Sequence, residues 1–524
     1  MKRPSSATIG GATAVERAAP RSVRALLERQ ALERPDATYA ICPETGRELS
    51  FGRLARASLS LAALLASQGL AAGDRVGLFL PNGLQALRLF VGTMAAGCVA
   101  TPLSLLAQPQ QLAYVLEHSD CRVVFVAPGQ RATLEDALAR IGRHIAVVVV
   151  DPDDDAVPGE DAAAAGAVWP LTEPLRDGEA LMMYTSGTTG RPKGAVLSQR
   201  NVLAGARFVS DAHELGPADR VLAVLPLYHI NAQIVTALAP LLHGGSLVLP
   251  RRFSVGAFWG LAEEYRCTWL NVVPTMIAYL LDAPDRTTAP AGVRFCRSAS
   301  APLAPELHRA FEARFGIGVI ETMGLTETAA PVFSNPLDPA RRRIGSPGRA
   351  FGCEARVVDP ATGRPVRDGV PGEIQIRGDN VMLGYYKAPD ETAKGLGDDG
   401  WLRTGDLGYR DADGFYFITG RLKELIIKGG ENIAPREIDE ALLRHPGVLE
   451  AAAVGVPDPA YGQEIEAAVV LRPGASSSEA ELQGFCRVEL GPFKTPRAIR
   501  IVQALPKGPS GKVQRLKLLD GVTA

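Results

Sequence analysis

Residues 184–195 read Tyr-Thr-Ser-Gly-Thr-Thr-Gly-Arg-Pro-Lys-Gly-Ala. Hydroxyl side chains at Thr185, Ser186, Thr188 and Thr189 alternate with Gly187, Gly190 and Gly194, and Arg191 and Lys193 add two cations. Glycine tolerates φ > 0 and lets backbone N–H groups turn inward. The hydroxyls add donors and Lys193 adds a point charge, so the run forms a pocket for a polyanion such as a nucleotide triphosphate. The apolar stretch Ala180-Leu181-Met182-Met183-Tyr184 predicts a buried strand that places this loop at a sheet edge. A plain surface turn would use the same residue types, and the P-loop pattern G-x-x-x-x-G-K-[ST] is absent. The remainder of the chain decides between these readings.

A chain of 524 residues is too long for one core and predicts two or more domains. A formal net charge of −1 gives no bulk attraction to nucleic acid or to an anionic membrane. The cysteines (Cys42, Cys98, Cys121, Cys267, Cys296, Cys353 and Cys486) are scattered with no C-x-x-C, which fits a reducing compartment and argues against a disulfide framework or zinc site. The N-terminus lacks the apolar segment of a signal peptide, and no apolar run reaches the length of a membrane span. The expected location is cytoplasmic.

Residues 1–20 read as a flexible tail. From Ser22 onward, strands alternate with helices: Arg75–Leu80, a helix over Leu84–Ala96, then Cys121–Val126 and Ile145–Val150. That alternation predicts an α/β domain with parallel sheets. Asp151–Ala167 reads as a surface loop because the alternation resumes beyond it. After Arg421 the composition changes, with a helix near Pro435, strands at Ala451–Val456 and Ala467–Leu471, and a helix near Ser478–Glu489. The expected organisation is a large domain over 21–421 and a smaller, mobile α+β domain over 422–524.

Several further stretches carry chemistry. Val221–Leu227 is a strand running into Tyr228-His229-Ile230-Asn231, followed by Gln233. His229 is either a buried structural histidine or, just beyond a strand's C-terminal end, a ligand-facing one. Ala299-Ser300-Ala301-Pro302 follows a strand, and side chains that small let a ligand approach the backbone. In Glu321-Thr322-Met323-Gly324-Leu325-Thr326-Glu327, Thr326 can bond phosphate and Glu327 can hold Mg²⁺ as a hard oxygen ligand. Glu321 is either turned away into a salt bridge or placed beside the substrate, where a carboxylate costs free energy unless a cation compensates it. Asp406 suits the hydroxyls of a ribose, and Arg421 supplies a fixed cation.

Taken in order, these segments, with Lys423, the Lys428-Gly429-Gly430-Glu431 run and the closing Pro506-Lys507-Gly508-Pro509-Ser510-Gly511-Lys512, resemble the adenylate-forming (AMP-binding) superfamily, acyl-CoA synthetase type. Phe253–Trp259 and Arg341-Arg342-Arg343 are similar to the carnitine and crotonobetaine ligase branch. The resemblance implies an ATP-dependent ligase that forms acyl-AMP and pyrophosphate, then a thioester and AMP. It makes Lys512 the catalytic lysine, with Glu327 and Thr188 on Mg²⁺ and His229 with Ile230, Asn231, Gln233, Ala299, Glu321 and Thr322 around the acyl group. The nucleotide falls to the 185–193 loop, Ser300–Pro302, Met323, Gly324, Thr326, Asp406 and Arg421. Lys423 becomes the hinge, and Lys428–Glu431 meets coenzyme A. Where the family carries an aromatic residue against adenine this chain has Met323, whose thioether also packs on a ring. The implied substrate is a small or medium carboxylic acid, suggested by Glu321 to carry an amino, guanidino or betaine group. The acceptor is coenzyme A or, in a stand-alone adenylation enzyme, a carrier protein. A catalytically lapsed nucleotide-binding regulator is the non-enzymatic alternative, and a monomer or homodimer is expected.

Overall fold

A computed structural model describes residues 19–158, 168–185, 192–283, 286–507 and 513–521. The chain enters through the helix Val23–Glu33, whose N-terminus is closed by Ser22: its Oγ accepts from the Ala25 N–H at 3.0 Å.

Two large sheets form the main body. In the first, Arg75–Phe79 lies between Val99–Pro102 and Val123–Val126, all parallel. Val123–Val126 is a run of four buried β-branched or aromatic residues, the composition of a strand covered on both faces. Ala146–Val149 pairs only on one side, and its second and fourth residues are correspondingly exposed. At the other edge Glu179–Thr185 and Lys193–Ser198 form an antiparallel pair, with Thr185 opposite Lys193. The phosphate-type loop therefore joins two adjacent strands at the sheet's end. Its central residues Ser186, Gly187, Thr188, Thr189, Gly190 and Arg191 lie outside the described residues.

The second sheet has nine strands. Its parallel centre runs Gly318–Leu325, Phe295–Ser298, Trp269–Val272, Arg220–Ala223, Ser246–Val248 and Thr38–Cys42. One continuous apolar core joins the two sheets through helices such as Phe51–Ser67 and Leu84–Ala95. A four-stranded antiparallel sheet built from Glu354–Val358, Gly372–Arg377, Leu402–Arg410 and Tyr416–Arg421 completes the body.

The smaller domain has a separate core. Val448–Asp458 and Gly462–Leu471 pair over their whole length, and Ile426–Lys428, Glu431–Ile433 and Ala498–Ile501 extend the sheet. The helices Pro435–Leu443 and Glu479–Lys494 cover it, the latter kinked at Gly491. All seven cysteines are free thiols, and six are buried. No helix among the described residues is long and apolar enough to cross a membrane.

Gly205 lets the helix Gln199–Ala212 seat against the turn that follows Glu327, since a β-carbon there would stand 2.2 Å from the Ala329 carbonyl oxygen. Overpacking of this kind costs about 1–3 kcal/mol. Gly205→Ala should lower the thermal midpoint by a few degrees in a melting scan, and an unchanged midpoint would mean that the Ala329 carbonyl lies elsewhere.

Candidate active site

The strand Gly318–Leu325 carries Glu321, Thr322, Met323 and Gly324 to the site, with an irregularity between Met323 and Gly324 where it pairs with Ala330–Ser334. A single helical turn, Thr326–Thr328, then reverses the chain through Ala329 and Ala330, both at positive φ. This turn is pinned from outside. Asn380 Nδ2 donates to the Thr328 carbonyl at 3.1 Å, the Met382 N–H donates to the Glu327 carbonyl at 2.8 Å, and the Tyr385 hydroxyl donates to Glu327 Oε1 at 2.9 Å. Glu327 is thus held in place while keeping its second carboxylate oxygen for another partner.

Tyr385 also gathers the cation of the phosphate-type loop. Lys193 Nζ lies 5.2 Å from the Tyr385 ring centroid and pairs with Glu391. Hydrogen bonds from Lys193 and then Lys394 hold the Glu391 carboxyl down to about 2. Burial first, then the neighbouring Glu327 carboxylate, pushes the Tyr385 phenol up, so it stays a donor. The fold brings Lys193 and Glu327 onto one tyrosine although 134 residues separate them.

Asp406 and Arg421 face each other across a strand pair, Asp406 Oδ1 to Arg421 Nε at 2.8 Å. The Asp406 carboxylate raises the Arg421 guanidinium. Asp406 is 4% exposed, and its Oδ2 is buried without a hydrogen-bond partner. A buried carboxylate oxygen left unpaired is costly, and a vicinal diol donating to it removes that cost.

A cavity of about 260 Å³ opens beside Asp406 and Arg421. Its walls include Ser300, Ala301 and Pro302, then Glu321 through Leu325, then Asp406 and Arg421. The small domain closes it with Pro435, Arg436, Asp439 and Glu440 from one helix. Arg436 donates to the Ile418 carbonyl and to Glu440, and Arg515 bridges Asp439 at 2.7 Å and Glu424 at 3.4 Å.

Of the two readings of Glu321, a carboxylate turned away into a salt bridge or one beside the ligand space, its position matches the second. It is 3% exposed, lines the cavity, accepts the Leu303 N–H at 3.1 Å through Oε1, and leaves Oε2 without a hydrogen bond. Burial pushes its carboxyl up, against the opposing pull of the Arg436 charge.

His229 stands at the end of the loop after Arg220–Ala223, its ring 4.6 Å from that of Tyr228. Ile230 caps the π-helical segment Asn231–Leu238, a form that recurs at functional sites. Asn231 Nδ2 donates to Ser300 Oγ at 3.1 Å, tying this segment to the cavity wall. Gln233 is fully buried and donates to the Leu227 carbonyl at 2.7 Å, so its amide fastens the loop. Ala299 is buried in the same strand exit, its N–H on the Val272 carbonyl.

The Lys428–Glu431 hairpin does not reach this cavity. Contrary to the expectation of a cofactor-facing ammonium, Lys428 is 6% exposed, pairs with Glu464 at 2.5 Å and donates to the Phe493 carbonyl at 2.8 Å. Gly429 and Gly430 supply the two positive-φ residues of the hairpin turn. Lys423 lies in the turn Leu422–Glu424, between the strands Tyr416–Arg421 and Ile426–Lys428. Lys512, with Gly508 to Gly511, lies outside the described residues. Tyr385 and Arg436 went unnoticed in the sequence; only the Gly-Tyr-Tyr run at 384–386 hinted at the first.

A carboxylate with an open oxygen beside a cationic phosphate-type loop, and a second one placed for a diol, define an enzyme that handles a nucleotide near a small-molecule pocket. The family model for AMP-binding enzymes matches residues 27–386, and that for the AMP-binding enzyme C-terminal domain matches 437–512. The chain is 60% identical to a sulfoacetate–CoA ligase of Cupriavidus necator over 95% of its own length and 97% of the relative's. It is 35% identical to an oxalate–CoA ligase of Arabidopsis thaliana, over 86% and 89% of the two chains. Among solved structures, ATP-bound MatB from Rhodopseudomonas palustris superposes with a TM-score of 0.87 at 33% identity, covering 95% and 99% of the chains. The chain belongs to the AMP-binding enzyme family and is an AMP-forming acyl-CoA synthetase, using ATP, Mg²⁺ and coenzyme A.

Because burial raises the Glu321 carboxyl, the folded state holds this proton more tightly than the unfolded chain does. Its contribution to stability is therefore full at low pH and is lost as pH rises through the carboxylate range. Glu321→Gln should melt higher than the parent at pH 7, with the gap closing as pH falls towards 4. A gap independent of pH would overturn this account of Glu321.

Proposed function

We propose that this enzyme activates a small carboxylic acid carrying a second anionic group, a sulfonate or another carboxylate. The observation that supports this is the 60% identity, along nearly the whole of both chains, to a ligase named for sulfoacetate. The oxalate ligase among its relatives also acts on a small acid with two anionic groups.

The first half-reaction joins a substrate carboxylate oxygen to the α-phosphorus of ATP and breaks the bond to pyrophosphate. Catalysis of this kind rests on placement and electrostatics. We assign Lys193 and the 185–190 hydroxyls and glycines to the β- and γ-phosphates, and Asp406 Oδ2, buried and without a partner, to the ribose hydroxyls. Arg421 fixes Asp406 in that orientation. Met323 and Gly324, with Ser300–Pro302, border the base. Glu327, whose Oε1 alone is taken by Tyr385, would hold Mg²⁺ together with Thr188, Thr326 lying beside it; the ion neutralises phosphate charge. Lys512 would steady the α-phosphate and the attacking carboxylate.

In the second half-reaction the thiol sulfur of coenzyme A attacks the acyl carbon, AMP leaves, and the thiol proton passes to solvent. We take residues 21–421 and 422–524 as the two units that turn about Lys423 between these steps. The Gly429–Glu431 face then meets coenzyme A, while Lys428 supports it structurally. A substrate with a cationic group is the second reading, favoured by the cavity-facing Glu321. Arg436 already offers Glu321 a cation from within the protein, which weakens that reading.

The test follows AMP release and thioester formation with ATP, Mg²⁺ and coenzyme A over sulfoacetate, oxalate, malonate, propionate and an amino acid. Turnover led by the doubly anionic acids is expected, and preference for the amino acid would overturn the proposal. Asp406→Asn should raise the KM for ATP at least about tenfold, as loss of a charge-assisted hydrogen bond requires.

A further inference from the structure

Arg297 is 1% exposed at the end of the strand Phe295–Ser298. It sits level with Asn271 on the neighbouring strand and with Ile320 on the other side. Its Nη1 donates to Asn271 Oδ1 at 2.8 Å and to Asn231 Oδ1 at 3.1 Å, and its Nε is buried with no acceptor. Both partners are neutral amides. No carboxylate among the described residues comes within ion-pair distance of it. His213 lies close enough to feel the charge, but burial first and then Arg297 push its imidazole down to about 3, so it stays neutral. Burial also brings Arg297 down to about 9, which leaves it charged at neutral pH.

A desolvated cation with only amide partners is a costly arrangement for a fold to retain. It becomes favourable when an anion arrives. The path from Arg297 to the cavity is one residue long: Asn231 accepts from Arg297 and donates to Ser300 Oγ, and Ser300 lines the cavity. Ser300 is held at φ +73, a strained conformation for a residue with a side chain, and this points the strand exit along that wall. Asn271 Nδ2 donates to Asn231 Oδ1 at 3.2 Å, fixing the amide so that its nitrogen faces Ser300.

We infer that Arg297 is the specificity-determining cation of the acyl pocket: the second anionic group of the acid docks against the Ser300–Asn231 wall, where the charge of Arg297 has no carboxylate partner among the described residues. Acids with a neutral tail leave that charge unmatched and bind less well. The assignment rests on the reading of the substrate as a doubly anionic acid. It deepens that reading by naming the residue that enforces it.

The experiment measures kcat/KM for sulfoacetate and oxalate against propionate, with saturating ATP and coenzyme A, in the parent enzyme, Arg297→Lys, Arg297→Gln and Asn231→Asp. The parent's profile tests the substrate reading alone: a parent that favours propionate ends that reading. Given a parent that favours the doubly anionic acids, Arg297→Gln should cut that preference at least about a hundredfold, mostly through the acid's KM, and Arg297→Lys should keep it within about tenfold. Asn231→Asp leaves Arg297 in place but gives it an internal carboxylate, so it should lose the preference while melting no lower than the parent. It remains informative if Arg297→Gln fails to fold. A thermal-shift readout is independent of turnover: sulfoacetate with a non-hydrolysable ATP analogue should raise the melting point of the parent and not of Asn231→Asp. Equal losses on both classes of acid, or an unchanged preference in both Arg297→Gln and Asn231→Asp, would overturn the inference.

Discussion

Gly324 passes the chain's return strand so closely that a β-carbon on it would stand 1.8 Å from the Ala330 carbonyl oxygen. Only a residue without a side chain permits that approach, and the tight reversal between Leu325 and Ala330 depends on it. The reversal sets the direction of Glu327, which Tyr385 then locks, and Tyr385, on the strand paired with the one that carries Lys193, gathers that cation as well. The two large sheets are thus joined at the site by a chain of polar contacts as well as by the shared apolar core. Backbone proximity comes first here, and the placing of charges follows from it.

The pocket between the domains is electrostatically two-sided. Glu321 and Asp406 contribute carboxylate oxygens without partners from the large body, while Arg436 and Arg515 bring guanidinium groups at or near the small domain's helix. Asp439 and Glu440 on that helix keep both cations engaged. The interior of the large body obeys a different rule, because among the described residues the hydrogen-bond acceptors of Arg297 are the amides of Asn231 and Asn271.

Much of this was legible in the sequence. The alternation of apolar runs with helical stretches gave the parallel sheets, because fully buried strands such as Val123–Val126 leave an unmistakable composition. Asp406 and Arg421, each preceded by a glycine, stand out in the sequence as candidates, and the strand pairing sets them face to face at the cavity wall. What was not legible is partnership. Nothing local marks Tyr385 as the residue that holds Glu327, because its partner lies 58 positions away. Lys428 looked like a ligand group from its place beside two glycines, yet Glu464 and the Phe493 carbonyl, brought in by the neighbouring strand and a kinked helix, claim its ammonium. Glu321 left two readings open in the sequence, since nothing local tells whether a carboxylate will find a cation, and this one found a single backbone N–H.

Arg297 has a consequence for the lifetime of the protein. A ligand that binds the folded chain and not the unfolded one adds stability by mass action, about 2.7 kcal/mol when its concentration is a hundred times its Kd. The empty enzyme carries the desolvation of its unmatched guanidinium unaided, so its margin against unfolding is narrower than that of the loaded one. Differences of this size alter the steady-state abundance of a protein under cellular quality control several-fold. On the proposed docking of the acid's second anionic group, the substrate would supply the charge that the Arg297 guanidinium lacks, and the amount of folded enzyme would rise with the supply of its acid.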